Sequence, residues 1–484
     1  MIETKKYYLD TFGVTEGQLQ TLVETAMATG GSYADLFFEN TSYSDLMLRD
    51  GEVTSGGFHI DYGVGIRVLK GERTGYAYSE STGMAAMLSA ARAASAISRG
   101  DRPADGSIAD SKGYVPRLYR GAPNPAADRY PMEKDWRTAE AAQFIPVLNR
   151  LKDMIQQRDS RIIKIIAVLQ NQVSDIMMYN IYGELKYETR PMGTLAVSVI
   201  FSDGKTTQSS HVSRSYRMGA EMLTDEVLNE LADKAVRNMD DRFAARRPKG
   251  GRMPVVMGAG ASGILLHEAM GHAFEADFIR KKQSVFSGKL GKKICDESIS
   301  IVDDGTIRGN RGSLNFDDEG VPAQRTYMVE NGVLTSFLHD RVSARHFKVA
   351  PTGNGRRESF RFAPIPRMRA TYMESGNSRP EDIIASVRKG IYVDEFSNGQ
   401  VKIGEGDFTF FVKSGYLIEN GRLTMPVKDI NVIGNGPKAL ADIVAVGNDA
   451  LVDESAWTCG KDQSAPVSCG IPTVLINNLT VGGE

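Results

Sequence analysis

Apolar residues recur at helical spacing over Gln18–Thr29, where Leu19, Leu22, Val23 and Ala26 share one face, and this predicts a short helix. From Tyr33 to Tyr78 the pattern changes to short runs rich in β-branched and aromatic residues. Ala34–Glu39, Leu46–Arg49, Gly65–Leu69 and Gly75–Tyr78 are strand candidates of a meander, with turns at Asp50-Gly51, Gly56-Gly57 and Lys70-Gly71. The Ala- and Met-rich stretch Gly83–Ser98 predicts a helix. Gly100–Pro131, loaded with Pro, Gly, Asp and Arg, reads as a surface connection. A second round follows: a helix over Ala139–Arg158, strands near Ile162–Gln170, Ser174–Tyr179 and Leu195–Ser202, then a long helix over Ala220–Arg242. The order helix, meander, helix thus occurs twice. It hints at an internal duplication, although no residue-level repeat accompanies it.

The run Arg242–Pro254 (RFAARRPKGGRMP) is basic, aperiodic and interrupted by Gly and Pro, which marks a boundary with a solvated linker at 246–254. It separates an N-terminal α/β domain (1–245) from a C-terminal β-rich domain (255–484). In the latter, short strands and the turns Glu330-Asn331-Gly332, Ser397-Asn398-Gly399 and Glu419-Asn420-Gly421 predict antiparallel sheet, curled or barrel-like. One clear helix begins near Gly260. The fold class is therefore α+β: meanders and helices first, then a barrel-like half.

Composition narrows the function. With 41% hydrophobic and 24% charged residues, a chain of 484 residues is ordinary globular protein. The 58 basic and 60 acidic residues leave a net charge of −2, so no global field draws the chain to nucleic acid or to an anionic membrane. No apolar run approaches the length of a bilayer span, and Met1–Lys6 is not followed by a signal-peptide core. Cys295, Cys459 and Cys469 are too few for a disulfide framework, and the expected compartment is the reducing cytoplasm.

The candidate chemistry lies in Pro254–Phe278, PVVMGAGASGILLHEAMGHAFEADF. A strand enters a Gly-rich turn and then an apolar helix with His267, Glu268 and His272, three notable residues in a chain with 6 histidines. Zinc-protease helices space their histidines at i and i+4; here the spacing is i, i+5, which leaves the two rings about 140° apart on an undistorted helix. Both can face one metal only if the helix breaks or widens at Met270–His272, and Gly271 permits that. Otherwise the histidines merely cap a helix end. A catalytic zinc site needs a third protein donor. Cys459, in the Gly-flanked turn Thr458-Cys459-Gly460-Lys461, and Cys469, in Ser468-Cys469-Gly470, both qualify, with a weak preference for Cys459; either is otherwise a small buried hydrophobe. Cys295, between a Lys pair and an acidic pair, reads as a surface residue. Gly258–Gly263 also matches the G-x-G-x-x-G dinucleotide fingerprint, with Glu275 and Asp277 about 20 residues on, but no second parallel strand leads to those acids.

Several longer runs resemble the TldD branch of the TldD/PmbA (TldE) family. They are HEAMGHAFEADFIRKKQSVFSGKLG (267–291), SLNFDDEG (313–320), PTGNGRRES (351–359), PRMRATY (366–372), VGND (446–449) and NLTVGG (478–483), together with GVGIR (63–67) and GERTGYAY (71–78). The resemblance covers nearly the whole chain. It implies a cytoplasmic zinc metallopeptidase in which His267 and His272 bind the metal and Glu268 is the catalytic base. The family's cysteine ligand falls on Cys459 and leaves Cys469 to packing. It also implies extended, short or unfolded peptides as substrate, and a dimer, with a TldE/PmbA-like chain or a second copy. His339, His346, Arg356 and Tyr372 are candidates for stabilising an oxyanion by residue type only. The alternative reading is a non-catalytic regulatory protein of the gyrase-modulator kind on the same fold; a pure binder has no use for the intact His–Glu–His–Cys set.

Overall fold

The computed structural model describes residues 4–98, 129–130, 132–260, 262–402 and 405–483. Most of the sequence reading of 100–131 as a surface connection lies outside them. Six antiparallel strands form the N-terminal sheet: β1 Tyr33–Arg49, β2 Glu52–Lys70, β3 Arg73–Ser79, β4 Ile162–Asn180, β5 Leu185–Ser202 and β6 Thr207–Tyr216. Their order is β3-β2-β1-β4-β5-β6, so two meanders of three strands meet through β1 and β4. Each meander has helices before and after it, the doubled order legible in the sequence. Helices Glu16–Met27 and Met84–Ser95 pack on the first; Ile145–Gln156 and Asp225–Val236 pack on the second. Thr15 and Gln18 cap Glu16–Met27 reciprocally, which fixes its start.

The strands are longer than the apolar pattern suggests. β1 runs unbroken through the polar residues Asn40–Asp45 because β2 and β4 pair with it on both sides. Within it Thr41, fully buried, donates to the Glu39 carboxylate at 2.7 Å and lies 2.8 Å from Ser174 Oγ. Asp50-Gly51 makes the expected tight hairpin, with φ of 52° and 94°. Gly56-Gly57 does not turn; it lies inside β2. The helix expected over Ala220–Arg242 is broken, since Asn238 adopts a left-handed conformation at φ 56° between helices Asp225–Val236 and Met239–Ala244.

Five strands of the C-terminal half close on themselves. Lys389–Lys402 pairs with Gly251–Met257, which pairs with Val474–Gly482, then Asn431–Asn435, then Asp407–Glu419, and the last returns to Lys389–Lys402. This is the barrel. Its pairings are antiparallel except that between Gly251–Met257 and Lys389–Lys402, which is parallel. The last residues of the stretch read as linker, 251–254, already belong to the barrel wall. Glu330-Asn331-Gly332 and Glu419-Asn420-Gly421 turn hairpins as expected, whereas Ser397-Asn398-Gly399 lies in the irregular part of a long strand. Against the barrel lies a second sheet in the order Val333–Leu334, Arg325–Glu330, Ile301–Asp304, Ala370–Met373, Ser468–Ile471, Leu451–Asp453. Four further short helices, Ala276–Arg280, Arg341–Phe347, Pro380–Ala385 and Gly436–Ala441, accompany the one read from the sequence; at five to seven residues each they are too short for periodicity to reveal. Among the described residues no helix is long and apolar enough to cross a membrane.

Candidate metal centre

Helix Gly263–Ala269 is wedged between the barrel and the second sheet, with Leu265, Leu266 and Ala269 in the largest core. The glycines before it serve that packing. Gly260 takes φ 85° in the turn, and its N–H donates to the Ile471 carbonyl at 2.9 Å. A Cβ on Gly263 would lie 2.5 Å from the Gly470 nitrogen and 2.7 Å from its Cα, so only glycine lets helix and strand approach. The dinucleotide reading fails: the strand that follows the helix, Ile301–Asp304, joins the second sheet and does not pair with Gly251–Met257, while Glu275 and Asp277 are engaged by His272 and Lys461. We expect Gly263→Ala to lower stability by roughly 1–3 kcal/mol in denaturant titration, because the contact is backbone and cannot swing aside. A variant as stable as wild type would show that the helix shifts freely.

The helix ends where the i, i+5 spacing requires it to. Met270, at φ −131° and ψ −45°, leaves helical geometry, and Gly271–Phe274 forms a tighter 3₁₀ turn. His267 and His272 consequently converge, with ring centroids 5.0 Å apart and ring planes at 81°. The turn containing Cys459 completes the set: one donor atom from each of His267, His272 and Cys459 lies within 4.8 Å of the others. Cys459 Sγ is 3.3 Å from His272 Nε2. All three residues are buried, yet neither ring nitrogen of His267 has a hydrogen-bond partner. A buried imidazole with both nitrogens idle is costly, and a role as metal ligand would account for one of them. Burial pushes the Cys459 thiol up, but the His267 and His272 imidazoles facing it more than reverse this and bring it down to about 4. A thiolate beside two imidazoles within this radius is a donor set that fits zinc.

Glu268 differs from the three donors. Its side chain is 29% exposed, and its Oε2 lies 3.9 Å from His272 Nε2, so a partly solvated carboxylate adjoins the buried cluster. Behind the donors, Glu275 Oε2 accepts from His272 Nδ1 at 2.8 Å, which directs Nε2 toward Cys459. The same oxygen is 3.0 Å from Lys461 Nζ, which also reaches Asp277 at 2.9 Å. Lys461 thus ties the cysteine turn to the histidine segment. Two buried arginines hold that turn by its carbonyls: Arg367 donates to Cys459 O at 2.7 Å and to Gln463 O at 2.5 Å, and Arg311 donates to Trp457 O at 2.9 Å. Sequence reasoning missed Glu275 as an orienting group, along with Lys461, Arg311 and Arg367. The one available signal was local: Glu275 falls three residues after His272, and Lys461 two after Cys459.

The remaining candidates fall elsewhere. Cys469 is buried in strand Ser468–Ile471, with its thiol pushed up by burial, as packing requires. Cys295 is buried rather than at the surface, its Sγ 3.9 Å from the Gly332 carbonyl beneath the Asn331-Gly332 hairpin, which covers it although Lys292-Lys293 and Asp296-Glu297 lie on either side in sequence. His339 is buried between Phe337 and Phe347, with Nδ1 3.3 Å from Ser343 Oγ. His346 pairs with Glu72, Tyr372 packs near Arg325, and Arg356 donates to the Met368 carbonyl at 2.6 Å. Among the described residues none of these four makes a hydrogen bond or ion pair to His267, His272 or Cys459.

This α+β chain sets a buried His–His–Cys cluster and a carboxylate on the segments beside its barrel, and comparison with known proteins places it among metallopeptidases. Residues 250–483 match the PmbA/TldA metallopeptidase C-terminal domain, and residues 34–98 match domain 1 of the same family. A relative in Haemophilus influenzae, named a metalloprotease TldD homolog, is 36% identical over 93% of this chain and 93% of its own. A metalloprotease of Methanothermobacter thermautotrophicus is 34% identical over 93% and 95%. Among solved structures, a protein of Thermotoga maritima described as a modulator of a DNA gyrase superposes with a TM-score of 0.76 at 23% identity, covering 96% of this chain and 100% of that one. TldE from Thermococcus kodakarensis superposes with a TM-score of 0.74 at 18% identity, covering 96% and 100%. The chain belongs to the PmbA/TldD metallopeptidase family.

Proposed function

We propose that this chain is a zinc-dependent peptidase that hydrolyses short or unfolded peptides held in extended form. The observation that carries the reading is the convergence of His267, His272 and Cys459 within 4.8 Å, with the partly exposed Glu268 beside them. A related chain in Saccharolobus solfataricus is named a zinc metalloprotease TldD homolog, which favours zinc over other metals. The two imidazoles and the thiolate would hold the ion, which would acidify a water molecule and polarise a peptide carbonyl.

The chain's own groups do the rest. His272 holds its proton on Nδ1, against Glu275, and so keeps Nε2 free as a donor. Glu268 takes the proton from the attacking water on its carboxylate and returns it to the leaving amine. Burial of the three donors keeps bulk water from the cluster, while partial exposure of Glu268 leaves one side open to a peptide. An extended peptide suits a strand-rich surface, where main-chain pairing gives loose sequence preference. The partner in this reading is a TldE-like chain, or a second copy of this one.

The test is hydrolysis of a labelled unstructured peptide by the chain, alone and mixed with a paralogous TldE-like chain. Cleavage should vanish with chelator, return with zinc, and spare a folded protein of the same sequence content. Cleavage untouched by chelation would refute the metal-dependent reading.

A further inference from the structure

The segment that delivers Cys459 to the metal centre is not held by the barrel alone. Residues 454–458 run along the free edge of the N-terminal sheet. Ser215 N–H donates to the Glu454 carbonyl at 2.9 Å, Ala456 N–H donates to Ser213 Oγ at 3.0 Å, and Tyr216 Oη donates to the Glu454 carboxylate at 2.5 Å. Strand β6, the last in its sheet, thereby gains a short neighbour from the other half of the chain.

Arg311 stands where these parts meet. Its side chain is buried, and its donors are divided between the two halves. Nε reaches Trp457 O at 2.9 Å and Nη2 reaches Thr458 Oγ1 at 3.0 Å, on the residues just before Cys459. Nη1 reaches Ser215 Oγ at 2.5 Å on β6 and Thr194 Oγ1 at 3.4 Å on β5. Among the described residues it meets no carboxylate. A buried guanidinium without a counter-charge is expensive, and here each of its three nitrogens bonds neutral acceptors, Nε and Nη2 on the cysteine turn and Nη1 on the N-terminal sheet. The loop bearing Arg311 is itself seated on the N-terminal half: Arg217 N–H donates to Gly309 O at 2.8 Å, and Asn310 bridges to Tyr216.

We infer that Arg311 is a positioning residue for the metal centre, coupling strands β5 and β6 of the N-terminal sheet to the Cys459 turn so that docking of the N-terminal half sets the thiolate in place. The N-terminal half is then part of the metal site, although it supplies no ligand. The inference rests on the proposed ligand role of Cys459.

The test uses the full chain loaded with cobalt(II) or zinc and two readouts besides activity. One is the thiolate-to-cobalt charge-transfer absorption; the other is zinc affinity by competition with a chromophoric chelator, both measured well below each variant's melting temperature. Arg311→Met should lose about 10–100-fold in zinc affinity, the range for residues that orient metal ligands, with a weakened or shifted charge-transfer band. Arg311→Lys, which keeps the charge but not the fork of donors, should fall between Met and wild type. Wild-type affinity and an unchanged band in folded Arg311→Met would overturn the inference, however far its melting temperature falls. Should Arg311→Met fail to fold, Ser215→Ala carries the test: a several-fold loss of zinc affinity supports the coupling, and no change refutes it. Cys459→Ala separates the two levels. If it keeps both band and affinity, the ligand assignment itself is wrong; if it loses them while Arg311→Met does not, only the coupling fails.

Discussion

Replacing Glu268 by Gln should leave zinc in place and lower the rate of peptide hydrolysis by about 10²–10⁴-fold, the usual range for loss of a general base. The amide matches the carboxylate in size and can still hydrogen-bond to a water molecule, but it cannot hold the proton that must leave that water. Glu268 is not within bonding distance of the donor cluster's nitrogens, its nearest approach being 3.9 Å to His272 Nε2, so metal affinity should change little. The loss should appear in kcat more than in KM, since the proton transfer belongs to the transition state and not to peptide binding. Single-turnover rates and zinc content measured on one preparation check both halves. A Glu268→Gln protein that cleaves at the wild-type rate would remove Glu268 from the chemistry. One that also loses its metal would make it a ligand instead.

The second large effect concerns stability. Arg67 is 1% exposed and joins the two halves of the chain. It donates from Nε and Nη2 to Asp35 on the neighbouring strand β1 and from Nη1 to Glu319 at 2.5 Å. Asp35 and Glu319 are themselves buried, and Glu319 Oε2 also accepts the Arg341 N–H at 2.6 Å. Arg67→Met fills much of the same space but leaves two buried carboxylates facing one another without their cation. Removing one partner of a buried ionic cluster typically costs about 3–5 kcal/mol, and denaturant titration should show a loss of that order. Pairing the change with Asp35→Asn should recover part of it, because the neutral amide removes half of the stranded charge. A loss under about 1 kcal/mol would mean that Arg341, near Tyr33 and Glu319, takes over the pairing, and that Arg67 is not the main ionic link between the halves.

This cluster also shows what a sequence can and cannot tell. The runs 63–67, 313–320 and 351–359 carry no recognisable catalytic pattern, yet in the fold they meet. Arg67 comes from the first, Asp318 and Glu319 from the second, and Arg357 and a glycine, Gly355, whose Cβ would strike the Glu319 side chain, from the third. Their spacing in sequence is arbitrary because the contacts are tertiary, so no periodicity could disclose them. The candidate metal centre was more legible. His267, Glu268 and His272 are local, and the need for a broken turn followed from about 100° per residue alone; Met270 and Gly271 meet it. Cys459 lies far along the chain, and the residues by themselves could not decide between it and Cys469. The difference lies in packing: one thiol faces two imidazoles, and the other is sealed in a strand. Polar strand interiors misled the reading of β1 because a strand paired on both sides tolerates buried hydroxyls and acids that bond each other, as Thr41 and Glu39 do.

The central claim is that His267, His272 and Cys459 hold one metal ion, and elemental analysis of freshly purified, unchelated protein tests it most directly. The wild-type chain and Cys469→Ala should each contain about one zinc per chain, and Cys459→Ala should contain far less, since a catalytic site of this kind has three protein donors. Zinc absent from wild type, or retained in full by Cys459→Ala, would contradict the account and leave the His–Glu–His segment as architecture.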